Sequence, residues 1–116
     1  ASIGKTHINM DWNPIFSAGT ILTGQGVLTV NSALGIVSAT GKLKLLSSLS
    51  SDGSQTLAAV LNRTVDTTSG DVQNTPIIIG GAGWPKGSLH YAGSDTDTNH
   101  FNALGQAKSG VNLFIY

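Results

Sequence analysis

Between Leu34 and Gly80 the chain is a succession of short apolar runs, each cut off within a few residues by Gly, Asp or Ser. Leu34-Gly35-Ile36-Val37 stops at Thr40-Gly41. Lys42-Leu43-Lys44-Leu45 alternates polar and apolar, as a half-buried strand does. Asp52-Gly53 closes a Ser-rich loop that starts at Ser47, and Leu57 to Leu61 follows as a continuous apolar run, the mark of a buried strand. Asp66 to Gly70 reads as a turn. Pro76 to Ile79 is the most apolar run, with Pro at its first position, where a strand tolerates a missing N–H. Punctuation this dense leaves room for strands and little else, and it predicts a small, mainly β domain.

Composition narrows the choice. At 116 residues the chain has the length of one domain. A core of that size is modest, so self-association is expected to help it. The sequence contains no Glu and has 15 Gly, which argues against a helical bundle. With 40% hydrophobic and 10% charged residues it is not written as a disordered chain. Six basic and six acidic side chains are scattered. Lys42 and Lys44 are the one close basic pair, too little for a nucleic-acid-binding stripe. There is no Cys, which excludes disulfides and thiolate metal sites. No apolar run approaches the roughly 20 residues of a membrane helix. Ala1-Ser2-Ile3-Gly4 lacks the charged and apolar parts of a secretory leader, so synthesis in a cytoplasm is expected.

Two regions stand apart from the strand pattern. Residues 1–18 carry Ile3, Ile8, Met10, Trp12, Ile15 and Phe16 with no sustained period, and Asn13-Pro14 interrupts them. They are expected either to pack on their own domain or to form an arm that packs on something else. Residues 19–116 form the domain, opening with Thr20–Thr23 and Val27–Val30 as a hairpin across Gly24-Gln25-Gly26. One short C-terminal helix is predicted, capped by Asn99, with Phe101, Leu104 and Lys108 on one side and Gly110 ending it. Val111 to Tyr116 is a closing strand.

Candidate chemistry is thin. His7, His90 and His100 with the pair Asp95 and Asp97 suggest a metal, but none has the close ligand spacing of a zinc site. Gly80-Gly81-Ala82-Gly83 follows a strand, yet Trp84-Pro85-Lys86-Gly87 is no phosphate-binding helix start. No G-x-S-x-G elbow supports a Ser/His/Asp triad. No catalytic site and no cofactor are expected. Arg63, the one Arg, either pairs with Asp66 or Asp71 in its own chain or forks to a carboxylate at a subunit contact. Trp12, Trp84 and Tyr91 are the platforms that a carbohydrate-binding module would need. A self-assembling tail or fibre module shares the composition, but such modules repeat and this chain does not.

The order of the blocks Leu34-Gly35, Thr40-Gly41-Lys42, Asp52-Gly53-Ser54, Val60-Leu61, Val65-Asp66-Thr67-Thr68-Ser69-Gly70-Asp71 and Ile77-Ile78-Ile79 resembles the head decoration protein D family of lambda-type bacteriophages. Trp84-Pro85 resembles a pair found in a member of it. The resemblance implies a β-clip-like fold with little helix and an extended N-terminal arm. It implies a homotrimer on the outside of an expanded phage head, at local three-fold points, with no nucleic acid or membrane as partner. It also implies that the arm, residues 1–18, becomes ordered by adding to a sheet of the major capsid protein. Ile8, Met10 and Trp12 alternate as side chains of such an added strand would. Arg63, Trp84 and Pro85 are then candidate subunit or lattice contacts.

Overall fold

The computed structural model describes residues 13–116, so Ile3, Ile8, Met10 and Trp12 lie outside the described residues. The body is mainly β. Nine strands are described: β1 (Ile15–Ile21), β2 (Val27–Leu28), β3 (Ala33–Ile36), β4 (Leu43–Leu45), β5 (Leu57–Leu61), β6 (Val65–Asp66), β7 (Val72–Gly80), β8 (Ala82–Trp84) and β9 (Leu113–Ile115). A single turn of helix, α1 (Asp97–His100), precedes β9. Strands β1-β4-β3-β5-β7 close a barrel, β2 and β6 form a two-stranded ribbon, and β8 and β9 pair in parallel.

The wall made by β3 and β5 organises the interior. Leu34, Ala59 and Leu61 face one cluster with Ile21, Leu43 and Ile77. Ala33, Leu57 and Val60 face a second cluster with Leu46, Trp84, Phe101, Leu113 and Ile115. Both faces of this wall are buried, which is why Leu57 to Leu61 is apolar without alternation. The pairing slips by one residue between Leu34 and Gly35, so Ala58 has no partner in β3. Gly35 sits at that slip because the Asp52–Ser54 turn lies against it: a Cβ there would run into the Ser54 backbone. The turn holds itself together through Asp52, whose Oδ1 accepts the Ser54 amide at 3.0 Å and the Ser54 hydroxyl at 2.5 Å. These bonds, with Lys44 beside them, hold the Asp52 carboxyl down at about 2.

Three sequence expectations are corrected. The Thr20–Thr23 and Val27–Val30 segments do not pair with each other. Instead β1 lies between β7 and β4, and β2 pairs with β6. The glycine turn between them is captured by Thr67, which is fully buried. Its carbonyl accepts the Gly24 amide at 2.9 Å, its hydroxyl accepts the Gln25 amide at 2.9 Å, and its own amide and hydroxyl both donate to the Gly26 carbonyl at 2.8 Å. The helix is shorter than predicted and starts earlier. Thr96 is its N-cap, with Asn99 Oδ1 accepting the Thr96 amide at 2.8 Å. It stops at Phe101 because Asn102 turns the chain, its Oδ1 accepting the Leu104 amide at 2.9 Å and the Gln106 amide at 3.0 Å. Phe101 then bridges Ala107, so both reach the core through a tight turn rather than a helical face. Lastly, Pro76 lies inside β7 instead of at its start. Its carbonyl accepts the Asn62 amide at 3.0 Å, just past the end of β5, so no ladder bond to that strand is forfeited.

Two substitutions test this account. Gly35→Ala should cost about 2 kcal/mol or more in chemical denaturation, because backbone rather than a flexible side chain would have to move. Asn74 has φ 52 in β7, a left-handed conformation. Asn74→Ala should therefore cost about 1 kcal/mol while Asn74→Gly stays within about 0.5 kcal/mol of the parent.

Candidate interaction surface

The described chain enters beside the junction of β7 and β8. The Asn13 amide donates to the Gly81 carbonyl at 3.1 Å, and the Gly81 amide donates to Asn112 at 2.8 Å. Gly81 has φ 68, and a Cβ on it would strike the Asn13 carbonyl, so the close approach needs Gly. From this root β1 runs antiparallel to β7. The sequence division placed Ile15 to Ala18 in the arm; here they pair with β7, and the strand begins at Ile15. The pairing slips again between Ile15 and Phe16, which leaves Ile79 without a partner in β1.

This end of the body is apolar and open. Ile15 is 54% exposed, Phe16 58% and Ile79 40%. Only Ile21 of β1 is paired with β4, so on the flank away from β7 residues Ile15 to Thr20 have no strand neighbour among the described residues. An open strand edge with apolar side chains is a surface that another protein can cover. Ile15 and Phe16 thus sit exposed at the root of the leading segment.

The other predicted contacts divide. Arg63 lies exposed between β5 and β6 and forms no ion pair with a described residue. Asp71 is taken by Lys42 at 2.6 Å and by the Thr23 amide at 2.9 Å, and Asp66 Oδ1 caps its own turn through the Thr68 amide at 2.9 Å. The pairing of Arg63 with Asp66 or Asp71 is therefore corrected. Val27 and Val30, 60% and 42% exposed, lie nearby on the ribbon, where Thr64 Oγ1 accepts the Val30 amide at 3.1 Å. Pro85 is exposed after β8. Trp84 is 8% exposed and belongs to the core, so it is corrected from a contact to a packing residue. A stacking platform built on Trp84 fails with it.

The loop from Lys86 to Thr98 is closed by polar bonds that the sequence did not reveal. Asp95 accepts the Ser48 amide at 2.6 Å, the Ser48 hydroxyl at 2.7 Å and His100 Nε2 at 2.8 Å. Burial works against the Asp95 charge, but Ser48 and His100 outweigh it and hold the carboxyl below its ordinary range. An ionised Asp95 only accepts, so His100 Nε2 carries the proton. His100 stacks on Tyr91, ring centroids 5.2 Å apart, and the Tyr91 hydroxyl donates to Asp97 at 2.6 Å. Burial and Asp97 push the Tyr91 hydroxyl pKa up. Asp97 also accepts the Gly87 amide at 2.8 Å. Ser48, Asp95 and His100 are no catalytic triad, since the hydroxyl donates to the carboxylate and not to the imidazole. Among the described residues no group of three or more His, Cys, Asp or Glu converges on a metal position.

Asp95 has a testable consequence. Its carboxyl pKa is lower folded than unfolded, so its stabilisation is present above the unfolded value near 3.9 and is lost as pH falls through the folded value. Asp95→Asn should cost about 2 kcal/mol at pH 7, because the charge-assisted bonds that Ser48 and His100 give to the carboxylate are lost. In thermal melts the gap between parent and variant should shrink as pH drops below about 4.

Comparison with curated proteins and with solved structures returns no match. A family model does match, that of bacteriophage lambda head decoration protein D, over residues 15–110. It starts at the first residue of β1 and spans the barrel, the ribbon and the polar loop. The chain belongs to the bacteriophage lambda head decoration protein D family.

Proposed function

We propose that this chain decorates the exterior of an expanded phage head as a homotrimer, seated at local three-fold points on the major capsid protein, and stabilises the shell against the pressure of packaged DNA. The family match over residues 15–110 carries this reading. The form of the body supports it. Its buried polar groups are engaged in holding loops, and its open apolar end lies where the leading segment joins. On this reading the protein works by adhesion.

The leading segment is the proposed arm. Its 12 undescribed residues, fully extended, reach about 40 Å. Ile3, Ile8, Met10 and Trp12 supply apolar side chains, and Ile15 and Phe16 continue that surface onto the body. An extended segment adding to a sheet edge gains backbone hydrogen bonds while alternate side chains fill pockets. Ordering it costs a few kcal/mol. Three arms on one trimer bind as a unit, so modest individual affinities compound. The trimer stabilises the expanded lattice only by binding it better than the unexpanded one. Arg63, exposed with no described ion-pair partner, is the proposed subunit contact, with Val27 and Val30 beside it and Pro85 as a lattice contact.

Deleting residues 1–12, which spares β1, should leave the melting temperature nearly unchanged and abolish cosedimentation with undecorated expanded heads. Full binding by the truncated protein would contradict the arm assignment. Mass measurement in solution should give a trimer, and Arg63→Ala should raise its dissociation constant about tenfold. A monomer at all concentrations would overturn the trimer.

A further inference from the structure

We infer that the hollow between the start of β5 and the segment from α1 to Ser109 is a receptor for one carboxylate, presented by an Asp or Glu side chain of the shell protein. The assignment of the partner rests on the decoration reading; the carboxylate chemistry does not. The cavity measures about 170 Å³ and is lined by Gln55, Thr56, Asn99, His100, Lys108 and Ser109, over the Leu57 backbone.

Hydrogen bonds determine what these residues still offer. Gln55 Oε1 accepts the Gly53 amide at 2.9 Å, and Asn99 Oδ1 accepts the Thr96 amide at 2.8 Å. Both acceptor ends are thus in use, and both side-chain amide nitrogens are left without a described partner. The Ser109 hydroxyl donates to the Leu57 carbonyl at 2.8 Å. Lys108 Nζ gives one of its three protons to the Thr98 carbonyl at 2.8 Å, which holds the ammonium near the cavity and leaves two protons over. His100, 4% exposed, also lines the cavity, and the carboxylate bonded to it, Asp95, is already engaged by Ser48 and His100. No Asp lines the hollow.

A site with spare N–H donors, one ammonium and no spare carboxylate is complementary to an acceptor-only anion. A carboxylate has the matching lone pairs, and bonds to it are charge-assisted. No described Asp side chain is free to supply it: Asp52 is engaged by Ser54, Asp66 by Thr68, Asp71 by Lys42, Asp95 by Ser48 and Asp97 by Tyr91. The chain has no Glu at all.

The test is a titration of the full-length, isotope-labelled protein with sodium acetate and, separately, inorganic phosphate, read by NMR. Acetate should shift the side-chain amide signals of Gln55 and Asn99 and the backbone amide of Ser109 saturably. Lys108→Gln should weaken that binding about tenfold, and Lys86→Gln, on the exposed loop, should not change it. Absence of saturable shifts with either anion overturns the site. Saturation by phosphate without acetate overturns the carboxylate assignment in favour of a free phosphate. In head cosedimentation, Lys108→Gln should weaken retention to a similar degree. Unchanged retention by a variant that has lost acetate binding overturns the shell protein as the source. Failure of the unaltered protein to bind heads overturns the decoration reading, while the acetate titration still decides the chemistry of the hollow.

Discussion

The body depends on one close approach of backbone to backbone. The Asp52–Ser54 turn lies on β3 at Gly35, where no side chain fits, and Gly53 in turn lies against the Ile36 carbonyl and Ser38. The contact sets where β5 begins, because the chain leaves Ser54 and enters β5 at Leu57 within one short loop. It thereby fixes the slip in the β3–β5 pairing, and the slip decides which residues of β5 face which core. Ala59 and Leu61 go to one cluster, Leu57 and Val60 to the other. Two cores can share one wall only if both faces of that wall are apolar and its register is pinned. The Leu-Gly and Asp-Gly-Ser blocks, far apart in sequence, are two halves of a single steric requirement.

The second block pattern, Val65 to Asp71, has the same character. Asp66 closes its own turn, Thr67 is a buried clamp on the Gly24–Gly26 turn, and Asp71 reaches back to Thr23 and Lys42. These residues look like surface polarity in the sequence, yet they are joints of the fold. Such joints let a chain with 10% charged residues hold many short strands in place. They also leave the body's chemistry directed inwards. Among the described residues, what remains for a partner includes an apolar strand edge at Ile15 and Phe16, an Arg without a described ion-pair partner, and a donor-lined hollow. The proposed capsid adhesion uses that surface and the segment that precedes it.

The sequence made the local features legible and hid the long-range ones. Leu57–Leu61 was readable as a strand because five apolar residues in a row leave no solvent face, and the mainly β class followed from turn spacing. The β1–β2 hairpin misled because Gly24 and Gly26 do make a turn, but Thr67, more than 40 residues away, takes up its amides. The helix was overdrawn because Phe101 and Leu104 suggested a buried face, whereas Leu104 is 83% exposed at the tip of a turn. Asn102, an ordinary polar residue in a helix reading, is what reverses the chain. Trp84 was a contact candidate only through the family resemblance of the Trp84-Pro85 pair; its strand, β8, pairs in parallel with β9 near residue 115, which the local sequence could not show. Asp95 and His100 were legible only as metal-ligand candidates, and Ser48, which lies in a distant loop, left no signal. Ile15, Phe16 and Arg63, singled out in the sequence, are exposed in the structure, whereas the hollow near Lys108 was not legible, because its lining comes from two distant segments.

The most direct measurement is electron cryomicroscopy of undecorated, expanded phage heads mixed with the full-length protein. Three-lobed density on the outer surface at the local three-fold positions, with each lobe fitting the barrel and its root at Asn13 facing the shell, is the predicted result. Heads whose outer surface stays bare at saturating protein would contradict the claim that this chain acts by adhering to a capsid.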